Sequence, residues 1–308
     1  MLAHTRRSVA LAAAVALMVT AAACSPYPSG QRETVMLAVS TLHNPFFRQL
    51  RAGARQAAEV SGVRLEVVAA GNSTERQAKQ LRAVADDAEA VLVNPVDSHS
   101  ADSALRPLLR ADVPVVAVDR AVPEAEVTST VISDNVDGGR QAAEALAQAV
   151  DGPGQVIHLQ GIPDTSSSVN RGRGFEEVIA LHEEIDVVAK QPAYFDQGSA
   201  REVTRQLLRA YPGVDAVFAE NDEMALGAIE ALGARAGTDV KVVGFDGIPQ
   251  ALQAIEDGTM TATIAQTPEQ IGRTAVEQAV SAIDGAPVAP HVPVGVELVT
   301  DANVGEYL

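Results

Sequence analysis

Val35-Met36-Leu37-Ala38-Val39-Ser40-Thr41-Leu42-His43-Asn44-Pro45-Phe46-Phe47 passes from a buried-strand pattern into a loop carrying Ser, Asn and Pro, and then into a helix. The helix keeps Phe47, Leu50, Ala54 and Ala58 at helical spacing while Arg51, Arg55 and Glu59 point elsewhere, so one face is apolar. The loop holds two adjacent phenylalanines in a chain with six Phe, 3% aromatic residues and no Trp. Aromatic faces beside hydrogen-bonding side chains suit a ligand with apolar C–H faces and polar edges, such as a sugar. Two rings packed into the core at a helix start are the competing reading, and this stretch alone does not choose between them.

Outward from this unit the same order repeats. Short β-rich runs at 34–40, 63–69, 89–93, 114–118, 128–133, 155–160, 186–190, 215–219, 240–245 and 260–265 alternate with Ala-rich helical stretches, the spacing of βαβ crossovers. Val91-Leu92-Val93 and Val115-Val116-Ala117-Val118 lack clean alternation, as expected for a parallel sheet covered on both faces. Ten such strands exceed one ordinary doubly wound sheet, so an α/β chain of two doubly wound parallel-sheet lobes is expected. The first lobe would end near Asp134. No Gly/Ser linker separates the lobes, so closely spaced crossing strands should join them. The tail from Asp301 yields no reading.

Length and charge narrow the function. At 308 residues, 47% of them hydrophobic, the chain can build two cores. The formal net charge is −17, and residues 1–23 contribute two arginines and no acid, so the remainder is more negative still. Such a surface repels nucleic acid and anionic lipid, and disfavours a polyanionic ligand.

The first 23 residues read as an export signal: Arg6-Arg7, an apolar run from Val9 to Val19, then small residues leading to Ala21-Ala22-Ala23-Cys24. Cys24 is the sole cysteine, so an intramolecular disulfide is excluded. Its place after a small-residue cleavage site resembles a bacterial lipobox, which makes it the expected lipidation site. An ordinary signal peptide with an incidental cysteine is the alternative, because Ala21 stands where Leu is usual. Thr5-Arg6-Arg7-Ser8-Val9 leaves open whether the general or the twin-arginine route is used. Residues 24–33 read as a tether, placing the protein on the outer face of the cell membrane.

In open α/β sheets, ligands bind beyond the carboxyl ends of the strands. Those ends give Ser40 with Asn44, Asp119-Arg120, the 160–171 loop ending in Arg171, and Phe195, then Asn221-Asp222-Glu223, Asp246 and Gln266. They belong to both halves, so the lobes should face each other across a cleft. Carboxylates accept from hydroxyls, guanidinium forks donate and carboxamides do both, which fits a neutral polyol. Each also has a structural reading: Asp119-Arg120 as a local ion pair, Asn221 as a helix cap, Asp246 as a turn residue, Arg171 as a surface charge.

Signatures of catalysis are absent. No Walker loop, G-x-G-x-x-G, G-x-S-x-G or H-E-x-x-H occurs, and the six histidines lack ligand spacing, so neither cofactor nor metal is expected. Asp119 and Asp246 could form the acid/base pair of a glycosidase. Arg120 and Arg171 nearby are expected to hold both carboxylates ionised, leaving no proton donor.

Ser40 to Phe47, Val118-Asp119-Arg120, Ser133-Asp134-Asn135, Phe218-Ala219-Glu220-Asn221-Asp222-Glu223-Met224-Ala225-Leu226-Gly227, Gly244-Phe245-Asp246-Gly247 and Thr263-Ile264-Ala265-Gln266 closely resemble bacterial D-ribose-binding proteins. These are type I periplasmic sugar-binding components of ABC importers. The resemblance runs from about Thr34 to Val299. Carried over residue by residue, the ligand shell falls on Ser40, Asn44, Phe46, Phe47, Asp119, Arg120, Arg171, Phe195, Asn221, Asp246 and Gln266. It implies rings sandwiching the sugar and polar groups saturating its hydroxyls. It also implies a three-segment hinge near residues 134, 266 and 296. The N-terminal lobe is then 34–134 plus 267–295, and the C-terminal lobe 135–266 plus 296–308.

Departures from the ribose type lie beside the shell, at His43, Tyr194 and Ser167-Ser168-Val169-Asn170, and a neighbour can reshape a pocket by a hydroxyl's width. The expectation is a monomeric lipoprotein that delivers D-ribose to an ABC permease with its ATPase. Another pentose, allose or a furanose signal remains the alternative ligand. Transcription regulators sharing the fold need an N-terminal helix-turn-helix, where this acidic chain has a leader and tether. A sugar-modifying enzyme is the third reading.

Overall fold

The computed structural model describes residues 33–84 and 87–308. The expected leader, Cys24 and the tether through residue 32 lie outside the described residues.

The opening stretch folds as its pattern implies. β1 (Thr34–Val39) is buried along its whole length. Asn44 caps α1 (Pro45–Ser61) by accepting from the Phe46 N–H at 2.8 Å, and Pro45 takes the first helical turn, where a missing N–H is harmless. Gly62 ends the helix in the left-handed region at φ 73°. The unit then recurs through β2 (Arg64–Ala69), α2 (Thr74–Ala83), β3 (Ala90–Val93), α3 (Ala101–Arg110), β4 (Val115–Val118) and β5 (Ser129–Ser133).

The second series runs α4 (Asn135–Val150), β6 (Gly154–Gln160), α5 (Ser166–Ile179), β7 (Ile185–Pro192), α6 (Gln197–Ala210) and β8 (Ala216–Ala219). It continues with α7 (Asp222–Leu232), β9 (Lys241–Asp246), α8 (Pro249–Glu256) and β10 (Ala262–Ala265), and then α9 (Pro268–Ile283), β11 (His291–Val294) and β12 (Glu297–Thr300). The ten expected strands are all present, each end within two residues. β11 and β12 are additional to that expectation. Each has four residues and pairs on one side only, and Pro293 inside β11 is tolerated because an edge strand need not donate outward.

The strands form two six-stranded sheets of matching order, β2-β1-β3-β4-β5-β11 and β7-β6-β8-β9-β10-β12. All pairings are parallel except β12 on β10. Apolar clusters cover both faces of both sheets, the reason the strands lack alternation. The chain passes between the sheets after β5, after β10 and between β11 and β12, with α9 packed on α1 and on the first sheet. Helices α4 and α5 pack through a close backbone approach. A Cβ on Gly139 of α4 would lie 2.2 Å from the Arg171 carbonyl oxygen, so only glycine lets α5 settle against α4 and aim Arg171.

Candidate functional site

The carboxyl ends of both sheets open on one cavity of about 490 Å³. The first sheet contributes Thr41, His43, Asn44, Phe46 and Phe47 after β1, Gly71 and Asn72 after β2, and Asp119 and Arg120 after β4. The second contributes Ile162, Ser167 and Arg171 after β6, Phe195, Asp196 and Gln197 after β7, Asn221 and Glu223 after β8, and Asp246 after β9.

Neighbouring groups hold the charged side chains in place. Asp119 Oδ2 accepts from Asn94 Nδ2 at 2.9 Å and lies 3.7 Å from Arg120 Nε. Arg120 Nη1 donates to the carbonyls of Pro95 (2.9 Å) and Val96 (3.2 Å), which aims its guanidinium between two rings. The guanidinium carbon is 6.0 Å from the Phe47 centroid and 5.4 Å from that of Phe195, a ring of the other lobe. Phe46 and Phe47 meet edge to face at 5.1 Å. Arg171 lies 3.8 Å over Phe245, donates from Nε to Asn135 Oδ1 at 2.9 Å, and places Nη1 3.5 Å from Asp246 Oδ1. Gln266 Nε2 donates to Asp246 Oδ1 at 2.6 Å, and Asn44 Nδ2 reaches Asp246 Oδ2 from the opposite lobe at 3.5 Å. Beyond the cavity, Ala121 N–H donates to Ser166 Oγ at 2.8 Å, and Ser166 N–H to Ser98 Oγ at 3.2 Å, so the lobes also touch directly.

The backbone is strained where it presents these groups. Asp119 (φ 64°), Tyr194 (61°), Phe195 (57°) and Asp246 (131°) all have positive φ without being glycine. Asp222 secures the turn after Asp246: its Oδ2 accepts from the Gly247 and Ile248 N–H groups at 2.7 and 2.9 Å, and its Oδ1 from the Thr263 hydroxyl at 2.6 Å.

Protonation departs from the sequence expectation. Burial raises the Asp119 carboxyl above its ordinary value against the opposing pull of Arg120, Arg171 and Asn94. Burial likewise pushes Asp246 up to about 8, with Arg171 opposing and the Asp222 and Asp119 charges adding. Glu223 rises to about 7, through burial first and then the Asp196 charge. Loss of water therefore outweighs the guanidinium charges at both aspartates, and at Asp246 it carries the carboxyl up to about 8 despite Arg171. A protonated carboxyl can donate as well as accept, so the absence of a proton donor no longer argues against acid/base chemistry.

Nine of the eleven expected residues line the cavity: Asn44, Phe46, Phe47, Asp119, Arg120, Arg171, Phe195, Asn221 and Asp246. Ser40 and Gln266 adjoin residues of that wall. Ser40 is wholly buried, its N–H donating to Asn94 Oδ1 at 3.0 Å. Gln266 joins Ser133, whose hydroxyl donates to its Oε1 at 2.6 Å, to Asp246. The structural reading of Asn221 is also correct, since its Oδ1 caps α7 through the Met224 N–H at 3.0 Å. Sequence reasoning missed Asn72, Ile162, Asp196 and Gln197 on the wall, and Asn94 and Asn135 behind it. The strand-end rule, applied to β2 and β3, would have found Asn72 and Asn94. Among the described residues, no His, Cys, Asp or Glu cluster could hold a metal ion, and no helix is long and apolar enough to cross a membrane.

Two guanidiniums, several carboxyls, carboxamides and three phenylalanine rings converge on a space of small-ligand size. Such a wall can saturate hydroxyls all round a compact polar molecule while covering its C–H faces.

The family described as periplasmic binding protein domain matches residues 35–287. The ribose import binding protein of Escherichia coli (strain K12) is 41% identical over 300 residues, covering 96% of this chain and 99% of that protein. That of Bacillus subtilis (strain 168) is 38% identical over 278 residues, covering 89% and 90%. Among solved structures, the Caulobacter myo-inositol binding protein bound to myo-inositol has a TM-score of 0.85 at 33% identity, covering 91% of this chain and 97% of its own. An ABC transporter periplasmic solute binding protein from Actinobacillus succinogenes 130z with bound D-allose has a TM-score of 0.84 at 30% identity, covering 90% and 100%.

Proposed function

This chain belongs to the periplasmic binding protein family, and we propose that it is the receptor of an ABC importer, closing over D-ribose and delivering it to a membrane permease with its ATPase. The observation that carries the reading is the wall itself: Asp119-Arg120 from one lobe faces Arg171 and Asp246 from the other, with Phe47 and Phe195 reaching in from opposite sides. Aspartates and arginines paired in this way suit a neutral ligand of many hydroxyls. Identity to ribose import binding proteins supports the choice of sugar.

In this assignment Asp119, Arg120, Arg171, Asn221, Asp246 and Asn44 bond the hydroxyls, and Phe46, Phe47 and Phe195 cover the ring. Ser40, and Gln266 held against Asp246, complete that shell. The two bodies that close are 34–134 plus 267–295, and 135–266 plus 296–308. The receptor works as an exported monomer anchored through a lipid on Cys24, and it binds without altering the sugar.

The test is calorimetry of the mature chain against D-ribose, D-allose, other pentoses and myo-inositol, with the sugar recovered afterwards. Ribose should bind most tightly and return unchanged. Tighter binding of D-allose or myo-inositol, the ligands of the two similar structures, would replace ribose within the same class. A changed sugar would make the protein an enzyme, and no binding to any member would remove the reading.

A further inference from the structure

We infer that His158 and Glu220 form a buried positioning pair that sets the second lobe's half of the ligand shell, although neither side chain lines the cavity. The inference rests on the reading of that cavity as a sugar site.

His158 stands in β6 and Glu220 directly follows β8, and both side chains are wholly buried. His158 Nε2 lies 2.9 Å from Glu220 Oε1. The other carboxylate oxygen accepts from the Gly161 N–H at 2.7 Å and from the Ser168 hydroxyl. The backbone carbonyl of Glu220 accepts from Arg171 Nη1 at 2.6 Å. An ionised carboxylate only accepts, so opposite it the imidazole carries its proton on Nε2. Nδ1 then keeps a bare lone pair, and it has no hydrogen-bond partner among the described residues.

The three segments joined in this way carry the wall of the cavity. Gly161 seats the Phe195 ring, since a Cβ at that position would meet ring carbons at 2.0–2.5 Å. Ser168 adjoins Ser167 on the wall and lies one turn before Arg171 in α5. Asn221 is the residue after Glu220. One carboxylate therefore sets the register between the ends of β6 and β8 and the first turn of α5.

Packing alone does not account for the pair. The imidazole lies among aromatic rings, with centroids 5.3 Å from Phe175 and 5.0 Å from Phe218, where an apolar side chain would fill the space without desolvating two polar groups. What the polar pair adds is direction: three donors of fixed geometry converge on two oxygens.

Glu220→Gln keeps the volume but turns one acceptor into a donor, so either one of the three donors loses its partner or the His158 proton moves to Nδ1, where it has no acceptor among the described residues. Binding of D-ribose by calorimetry should weaken by about tenfold or more, the scale of a lost hydrogen bond to a charged group. Leu232→Ala is the contrast, a core truncation at the far end of α7, roughly 15 Å along the helix from Asn221. It should lower the melting temperature while leaving affinity unchanged, which separates positioning from general stability. Ser168→Ala removes a single donor and serves if Glu220→Gln does not fold, with about a threefold to tenfold loss expected. Nitrogen-15 spectra of the His158 ring should show a protonated Nε2 and a bare Nδ1.

A folded Glu220→Gln protein, or in its place Ser168→Ala, that binds ribose as tightly as the parent overturns the inference. So does an Nδ1–H tautomer, whether or not ribose binds. Failure of the parent to bind any sugar counts instead against the reading of the cavity.

Discussion

Replacing Asp246 by Ala tests the assignment of the site most sharply, because this carboxyl collects contacts from both lobes. Its Oδ1 accepts from Gln266 Nε2 at 2.6 Å and lies 3.5 Å from Arg171 Nη1, and its Oδ2 lies 3.5 Å from Asn44 Nδ2 across the cleft. Truncation leaves the Gln266 amide without its acceptor and the Arg171 guanidinium without its counter-charge, although Arg171 keeps Asn135 Oδ1 and the Glu220 carbonyl, and it leaves a sugar hydroxyl unpaired. Removing the partner of a buried hydrogen-bonded charge, here the Arg171 guanidinium, costs about 2–5 kcal/mol, which is about 30- to several-thousand-fold in affinity. Titration calorimetry with D-ribose measures the loss, with thermal melting of the empty protein run beside it. Asp186→Ala, an exposed position on β7, is the control and should change nothing. If Asp246→Ala melts normally and binds within about threefold of the parent, under 1 kcal/mol, the reasoning is wrong.

The same residue predicts a pH effect of definite sign. Burial raises Asp246 to about 8, so between the ordinary carboxylate range and that value the folded empty protein holds a proton that the unfolded chain has released. The stability this contributes is full below the unfolded value and is lost as pH rises through about 8. Asp222, raised to about 6, and Glu223, raised to about 7, act in the same direction. Asp246→Asn resembles the protonated carboxyl, so its melting temperature should fall less than the parent's over this range. An identical pH slope in the two proteins would mean that Asp246 titrates normally.

Four further outcomes are expected. Cys24→Ser should move the protein from the membrane fraction to the soluble one, and unacylated parent found wholly soluble would remove the anchor. Saturating ribose should lower the radius of gyration in small-angle scattering, and Ser166→Ala, which loses the acceptor for Ala121 N–H, should weaken binding by about 0.5–1.5 kcal/mol without a sugar contact. An unchanged radius at verified saturation would contradict closure. Gly161→Ala should displace the Phe195 ring, because the new methyl would sit 2.0 Å from its Cζ. A loss of about tenfold in affinity, near 1.4 kcal/mol, is expected, and parent-like binding would show that the ring does not cover the sugar.

The alternation of strand and helix was legible from the residues alone, because each element is a local matter of apolar run, cap and turn. Val35 to Phe47 already contained a strand, a helix cap at Asn44 and the aromatic pair. Strand ends are local too, and in a doubly wound sheet they all face one way, so Asp119, Arg171 and Asp246 could be placed at a common cleft before any coordinates. The short edge strands β11 and β12 were not legible, because four residues, one of them Pro293, carry too little pattern and owe their pairing to the sheet they join. Only the tertiary structure brought Asn94 to Asp119 and Asn135 to Arg171, pairs formed by packing between elements distant in the chain. Only it could show that burial pushes both Asp119 and Asp246 upward. The sequence shows Arg120 beside Asp119, but it cannot show how much water each carboxyl has lost, and here that loss outweighs the neighbouring charge.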